Sequence, residues 1–121
     1  MSNATTSFRD LTQGVSASLA SLRTSTPAVM KSFGDLGHAA TTSGALDRKT
    51  KELIALAVSV AARCDPCIGF HMQTLVKLGV TRQEVDETLG VTTYMGGGPS
   101  LMYAASAINA FEEFSRPKDG A

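Results

Sequence analysis

The chain's 121 residues include two cysteines and two histidines. Three of these four stand between positions 64 and 71, as Cys64, Cys67 and His71. Cys64-Asp65-Pro66-Cys67 is a C-x-x-C pair, a spacing used by redox-active dithiols and by metal sites. His71 follows Cys67 by four residues, so on a helix the thiol and the imidazole share a face and can exchange a proton. Asp65-Pro66 reads as a helix start, which puts Cys67 in a first turn where unpaired N–H groups and the helix dipole favour a thiolate. Cys64, at the mouth of that helix, can then resolve a sulfenic acid on Cys67 into a disulfide. The bland alternative is a pair of small buried residues beside a core histidine.

Glu52 is the only carboxylate at the head of the apolar run that leads to Cys64. Its helical face continues through Leu56, Ser59 and Arg63, the least apolar side of that run. It reads equally well as a second acid/base group that orients His71 and as a solvent-facing glutamate in a first turn. The first reading carries a geometric condition. Glu52 lies about 18 Å up a helix from Cys64, so it meets His71 only if the next helix folds back across it. Cys64, Cys67, His71 and Glu52 could also be weighed as a zinc set. The cysteines and histidine crowd within two helical turns, however, and no second C-x-x-C exists. His38 has no cysteine or carboxylate at ligand spacing and reads as a solvent or helix-end histidine.

The elements that must position these groups are helical. Phe8, Leu11, Val15, Leu19 and Leu22 recur at helical intervals after Ser7. Thr26-Pro27 opens a second helix with Val29, Met30, Phe33 and Leu36 on one side, weakened by Gly34 and Gly37 and fraying into Thr41–Gly44. Asp47 caps a third helix. It is apolar from Leu53 to Ala62 except at Ser59, which predicts a helix buried nearly all round, ending near Arg63 because Pro66 follows. The fourth helix runs to Leu78, with Gly79 as its left-handed terminus. Thr81-Arg82-Gln83-Glu84 is a capping box for the fifth, with Val85, Leu89 and Val91 or Thr92 inward. Met95–Pro99 breaks it, too unlike a P-loop to hold phosphate. A sixth helix runs from about Ser100 to Phe114 with Leu101, Ala104, Ala105, Ile108 and Phe111 inward. Tyr94 and Tyr103 flank the glycine break and read as packing or interface residues, or as pocket lining. The residues after Ser115 read as loose. The expectation is an all-α single domain.

Composition removes other classes. Eleven basic residues balance eleven acidic ones and 43% of the chain is hydrophobic. No basic patch invites nucleic acid or an acidic membrane, and no segment is long and apolar enough to span a bilayer. Met1–Ser7 lacks the basic and apolar regions of a secretory signal. Two close cysteines without a wider disulfide framework fit a reducing compartment, so a cytoplasmic location is expected. Nothing in the pattern asks for a cofactor.

Glu52, eleven residues, Cys64-Asp65-Pro66-Cys67, three residues and His71 together give E-x11-C-x-x-C-x-x-x-H. This pattern resembles the AhpD-like alkylhydroperoxidase/carboxymuconolactone decarboxylase family. The likeness runs over about residues 46–114, with Leu46–Glu52, Gly79–Val85 and Met95–Pro99 contributing. It implies an all-helical bundle of about six helices that assembles as trimers or hexamers. It also implies thiol peroxidase or disulfide reductase chemistry on a hydroperoxide or disulfide, reset by a lipoyl- or thioredoxin-like dithiol protein. On that likeness Cys67 matches the peroxidatic cysteine, Cys64 its resolving partner, and Glu52 and His71 the proton relay. Well-studied AhpD proteins carry a histidine where this chain has Pro66, and two copies of the helical unit where this chain resembles a single-unit branch. The family name also raises a lactone decarboxylase, but such enzymes do not depend on a C-x-x-C dithiol. A zinc-binding or non-catalytic oligomeric helical module completes the alternatives.

Overall fold

The computed structural model describes residues 7–117; the expectations for Met1–Thr6 and for Lys118–Ala121 lie outside them. Six helices follow one another: α1 (Phe8–Ser25), α2 (Pro27–Thr41), α3 (Arg48–Ala61), α4 (Asp65–Lys77), α5 (Arg82–Gly96) and α6 (Gly98–Ser115). No strand occurs among the described residues, so the all-α expectation holds.

The helix starts follow from side chains that accept the orphan N–H groups of first turns. Ser7 accepts from Asp10, Asp47 from Thr50, and Thr81 and Glu84 form the full capping box. Thr26 does not cap α2: its hydroxyl turns back to the carbonyl of Leu22, and Pro27 alone marks the start. Gly79 ends α4 with φ +81°, and the N–H groups of Gly79 and Val80 close onto Val76 and Leu75, the left-handed termination that a side chain would strain. The expected break over Met95–Pro99 shrinks to Gly97. With φ +75° and ψ −158°, this residue occupies a region open almost only to glycine, and one such residue is enough to turn α5 into α6. Pro99 sits in the first turn of α6, where its missing N–H costs nothing.

The core gathers Leu56 and Val60 from α3, Ile68, Met72 and Leu75 from α4, and Val85 from α5, each with no exposed surface. At roughly 1.5–3 kcal/mol for each buried aliphatic side chain, these positions dominate the stability of the bundle. Against them α6 presents Ala104, Ala107, Ala110 and Phe114. Of the expected inward face of α6, Ala104 is buried and Ile108 and Phe111 pack half-buried against the core, whereas Leu101 and Ala105 face out because small alanines let α6 lie close on α4. On α5 Thr92, not Val91, points inward. Its hydroxyl is satisfied by the carbonyl of Thr88 one turn back, so it can be buried at little cost.

Two corrections concern α2 and α3. α2 is one continuous helix despite Gly34 and Gly37, yet it buries no residue. And α3 is not buried all round. Ile54 is 50% and Val58 61% exposed, whereas Glu52, Leu56, Ser59 and Val60 are buried. The least apolar side of α3 is thus the inward side. This is affordable because the Ser59 hydroxyl donates to the Ala55 carbonyl and Glu52 finds a partner across the bundle.

α1 is fastened to the rest at one end. Glu113 of α6 accepts the N–H groups of Phe8 and Arg9 at 2.7 and 2.9 Å. Arg9 in turn lies over the Phe114 ring at 5.2 Å, a cation–π contact. Further along, Gly69 of α4 admits α1. A Cβ there would meet Thr12 Cγ2 at 2.7 Å and Phe8 Cδ1 at 3.1 Å.

Candidate active site

The reversal between α3 and α4 decides the site. α3 ends as the Ala62 N–H bonds to Val58, Arg63 to Val60 and Cys64 to Ser59. Arg63 takes φ 59°, a left-handed conformation uncommon for a residue with a side chain. The sequence signals point to a stop here, through Pro66, but nothing in Arg63 announces a left-handed turn. The turn sends α4 back along α3, so the separation of Glu52 and Cys64 along the chain is cancelled. Glu52 Oε1 and His71 Nδ1 meet at 2.8 Å. The carboxylate is buried, with 6% of its side chain exposed, while the imidazole keeps 35%.

This contact fixes the chemistry of the ring. An ionised carboxylate can only accept, so the proton it receives belongs to Nδ1, and the lone pair of the neutral imidazole falls on Nε2. Glu52 therefore holds the ring orientation from inside the core. Of the two readings of Glu52 from its spacing, the solvent-facing one is excluded.

Cys64 is the N-cap of α4, and its Sγ accepts the Cys67 N–H at 3.2 Å. The two cysteines form a disulfide, with Cα atoms 5.2 Å apart. Cys67 thus lies in the first turn of α4, as the Asp65-Pro66 signal requires, and His71 stands one turn further on the same face. Both cysteines are half-buried. Asp65, between them, adds a carboxylate to the first turn, and its Oδ1 is buried with no hydrogen-bond partner among the described residues.

Glu52, Cys64, Cys67 and His71 thus come from one helical hairpin, with Glu52 supplied by α3 and the others by the N-terminal half of α4. Among the described residues no group of three or more His, Cys, Asp and Glu side chains is placed to hold a metal ion. In this structure the sulfurs bond to each other and Glu52 bonds to His71. His38 is exposed near the end of α2, where its backbone carbonyl accepts from Thr42. Tyr94 is 84% exposed, and Tyr103 packs half-buried against the core.

Residues 27–110 match the model of the carboxymuconolactone decarboxylase family. The chain belongs to the carboxymuconolactone decarboxylase family. The AhpD-like pattern of Glu52, Cys64, Cys67 and His71 fits that membership. A carboxymuconolactone decarboxylase family protein of Legionella pneumophila has the same fold, with a TM-score of 0.89 and 59% identity over 90% of this chain and 97% of its own. A family protein of Thermotoga maritima superposes with a TM-score of 0.75 at 30% identity, covering 84% of this chain and 87% of its own. An uncharacterised protein of Haemophilus influenzae is 35% identical over 106 residues, 88% of this chain and 94% of the relative. One of Cupriavidus necator is 41% identical over 86 residues, 71% and 76% of the respective chains. The family match begins at Pro27, so α1 lies outside it.

Proposed function

We propose that this family member is a thiol-dependent peroxidase or disulfide reductase that cycles the Cys64–Cys67 pair. The observation that carries the reading is the meeting of α3 and α4: a capped C-x-x-C disulfide at the head of α4, and one turn below it a histidine held by a buried carboxylate. In the reduced protein the Cys67 thiolate lies among the free N–H groups of the first turn. It attacks the outer oxygen of a hydroperoxide ROOH. The O–O bond breaks, ROH leaves with a proton delivered through Cys64 and the His71–Glu52 pair, and Cys67 carries the sulfenic acid. Cys64 then attacks Cys67 Sγ, forming the disulfide and releasing water. Two thiols and ROOH thus become one disulfide, ROH and water. A dithiol protein of lipoyl or thioredoxin type returns two electrons and two protons, leaving as its own disulfide. His71 Nε2 takes and gives the protons, and Glu52 steadies the charged ring.

The same reading includes self-association into trimers or hexamers, supported by the apolar side chains that α2, α5 and α6 leave exposed, and a cytoplasmic setting in which a reductant keeps the pair cycling. No helix among the described residues is long and apolar enough to cross a membrane.

The test is a thiol count of the reduced protein before and after one equivalent of cumene hydroperoxide, with mass spectrometry locating the bond. Loss of two thiols into Cys64–Cys67, abolished by Cys67→Ser in a folded variant, is the expected result. Two thiols that stay free under that treatment overturn the reading.

A further inference from the structure

α2 is the one helix of the six that buries nothing. It is nevertheless amphipathic. Val29, Phe33 and Leu36 line one side and are 65%, 73% and 64% exposed. Lys31 and Asp35 occupy the other side and pair with each other at 2.7 Å. A helix with an apolar stripe is built to lay it on something, yet among the described residues α2 packs only on α1 and α3.

The body of the molecule carries a matching receptor. α5 and α6 form the walls of a groove of about 480 Å³ lined by Leu89, Gly90, Leu101, Ala104 and Ile108. A Cβ on Gly90 would meet nothing within 4 Å, so the groove is open at its floor. Tyr94, one turn beyond Gly90 on the same side of α5, is 84% exposed, and Leu101 on the facing wall 51%. The charges at its end, Arg82 and Asp86, pair with each other at 2.8 Å. Anchors at i, i+4 and i+7 are the spacing with which an amphipathic helix enters such a groove.

We infer that α2 of one copy docks through Val29, Phe33 and Leu36 in the α5–α6 groove of a second copy. This rests on the self-association proposed above and assigns its surfaces. Reciprocal exchange covers both patches of each chain in one interface, and their exposed apolar side chains, on the order of 1,000 Å² per chain, exceed the about 800 Å² per partner of a stable interface. Because donor and receptor are different patches, each copy gives one arm and takes one, and two copies close by reciprocal exchange.

Two measurements test it. Molar mass by light scattering is compared for the wild type and Phe33→Asp; circular dichroism is expected to be unchanged, because the side chain buries nothing in its own chain. The wild type is expected above the monomer mass of 12.6 kDa, with the variant's dissociation constant raised about 100-fold or more. Second, a photo-reactive benzoylphenylalanine at position 33 is crosslinked in a mixture of ¹⁵N-labelled and unlabelled chains. Mass spectrometry is expected to find α2 of one isotope joined to α5 or α6 of the other. A wild type at 12.6 kDa overturns both the self-association and the docking. An oligomer that survives Phe33→Asp, or crosslinks that run from α2 to another segment, overturns the docking and leaves self-association standing.

Discussion

The buried Glu52 makes the two halves of its pair unequal, and that inequality is measurable as stability. Replacing His71 by Phe fills the ring's space but strands a carboxylate whose side chain is 6% exposed. A buried charged acceptor left without its partner costs about 3 kcal/mol, the upper end of the range for an unmet buried polar group. Replacing Glu52 by Gln keeps a carbonyl that accepts the Nδ1–H, and the imidazole it serves, 35% exposed, retains water. That change costs about 1 kcal/mol. Combining the two removes the stranded charge, so the double variant is expected to be more stable than His71→Phe alone, with a coupling of about 2 kcal/mol. Urea unfolding at pH 7, followed by circular dichroism at equal protein concentration, measures all three. Peroxide consumption by the same variants separates stability from chemistry: His71→Phe is expected to lose about 10²–10⁴-fold, as befits a general acid–base group, while Glu52→Gln loses less. Equal destabilisation by the two single changes, or strict additivity in the double, would refute the claim that α3 delivers an ionised carboxylate to the imidazole inside the bundle.

The start of α3 is tied to the start of α5 by Lys49 and Glu84, 2.8 Å apart. The bond to the Lys49 ammonium holds the Glu84 carboxyl below its ordinary value, helped by the Thr81 N–H, and the same bond raises Lys49. Glu84, depressed in the folded chain, stabilises above about pH 4.3 and loses its contribution as the pH falls through its folded value. Lys49, raised, contributes fully below about pH 10.4 and loses its contribution as the pH climbs through its folded value. Melting temperatures of the wild type and Glu84→Gln should therefore differ by a constant amount between about pH 6 and 9 and converge at both extremes. Gly69→Ala places a methyl group 2.7 Å from Thr12 Cγ2 and is expected to destabilise by about 1–3 kcal/mol as α1 is pushed off α4. Thr12→Ser, which removes that methyl, should restore part of the loss in urea titrations.

The sequence by itself determined the helices and the spacing of the side chains that could react. Ser7, Asp47 and Thr81 with Glu84 are local start signals whose hydrogen bonds close within one turn, and Pro66 marks a start through its fixed φ, so they act wherever the chain folds. Gly79 and Gly97 are stops for the same local reason. The C-x-x-C spacing with a histidine four residues on is likewise a statement about one helix, and it placed Cys64, Cys67 and His71 together before any packing was known. What lay beyond it was the facing of each helix. Periodicity shows that a stripe exists but not which neighbour it meets, and alanine-rich helices such as α3 and α6 carry more than one apolar stripe. The buried side of α3 is the one bearing Glu52 and Ser59, because a serine hydroxyl can bond its own backbone and a carboxylate can be buried against a histidine. Ile54 and Val58 were left outside, and the apolar face of α2 with them. Only the tertiary structure decided that Glu52 reaches His71. That contact depends on the left-handed turn at Arg63, which folds α4 back along α3 and replaces a long separation along one helix with a hydrogen bond between two.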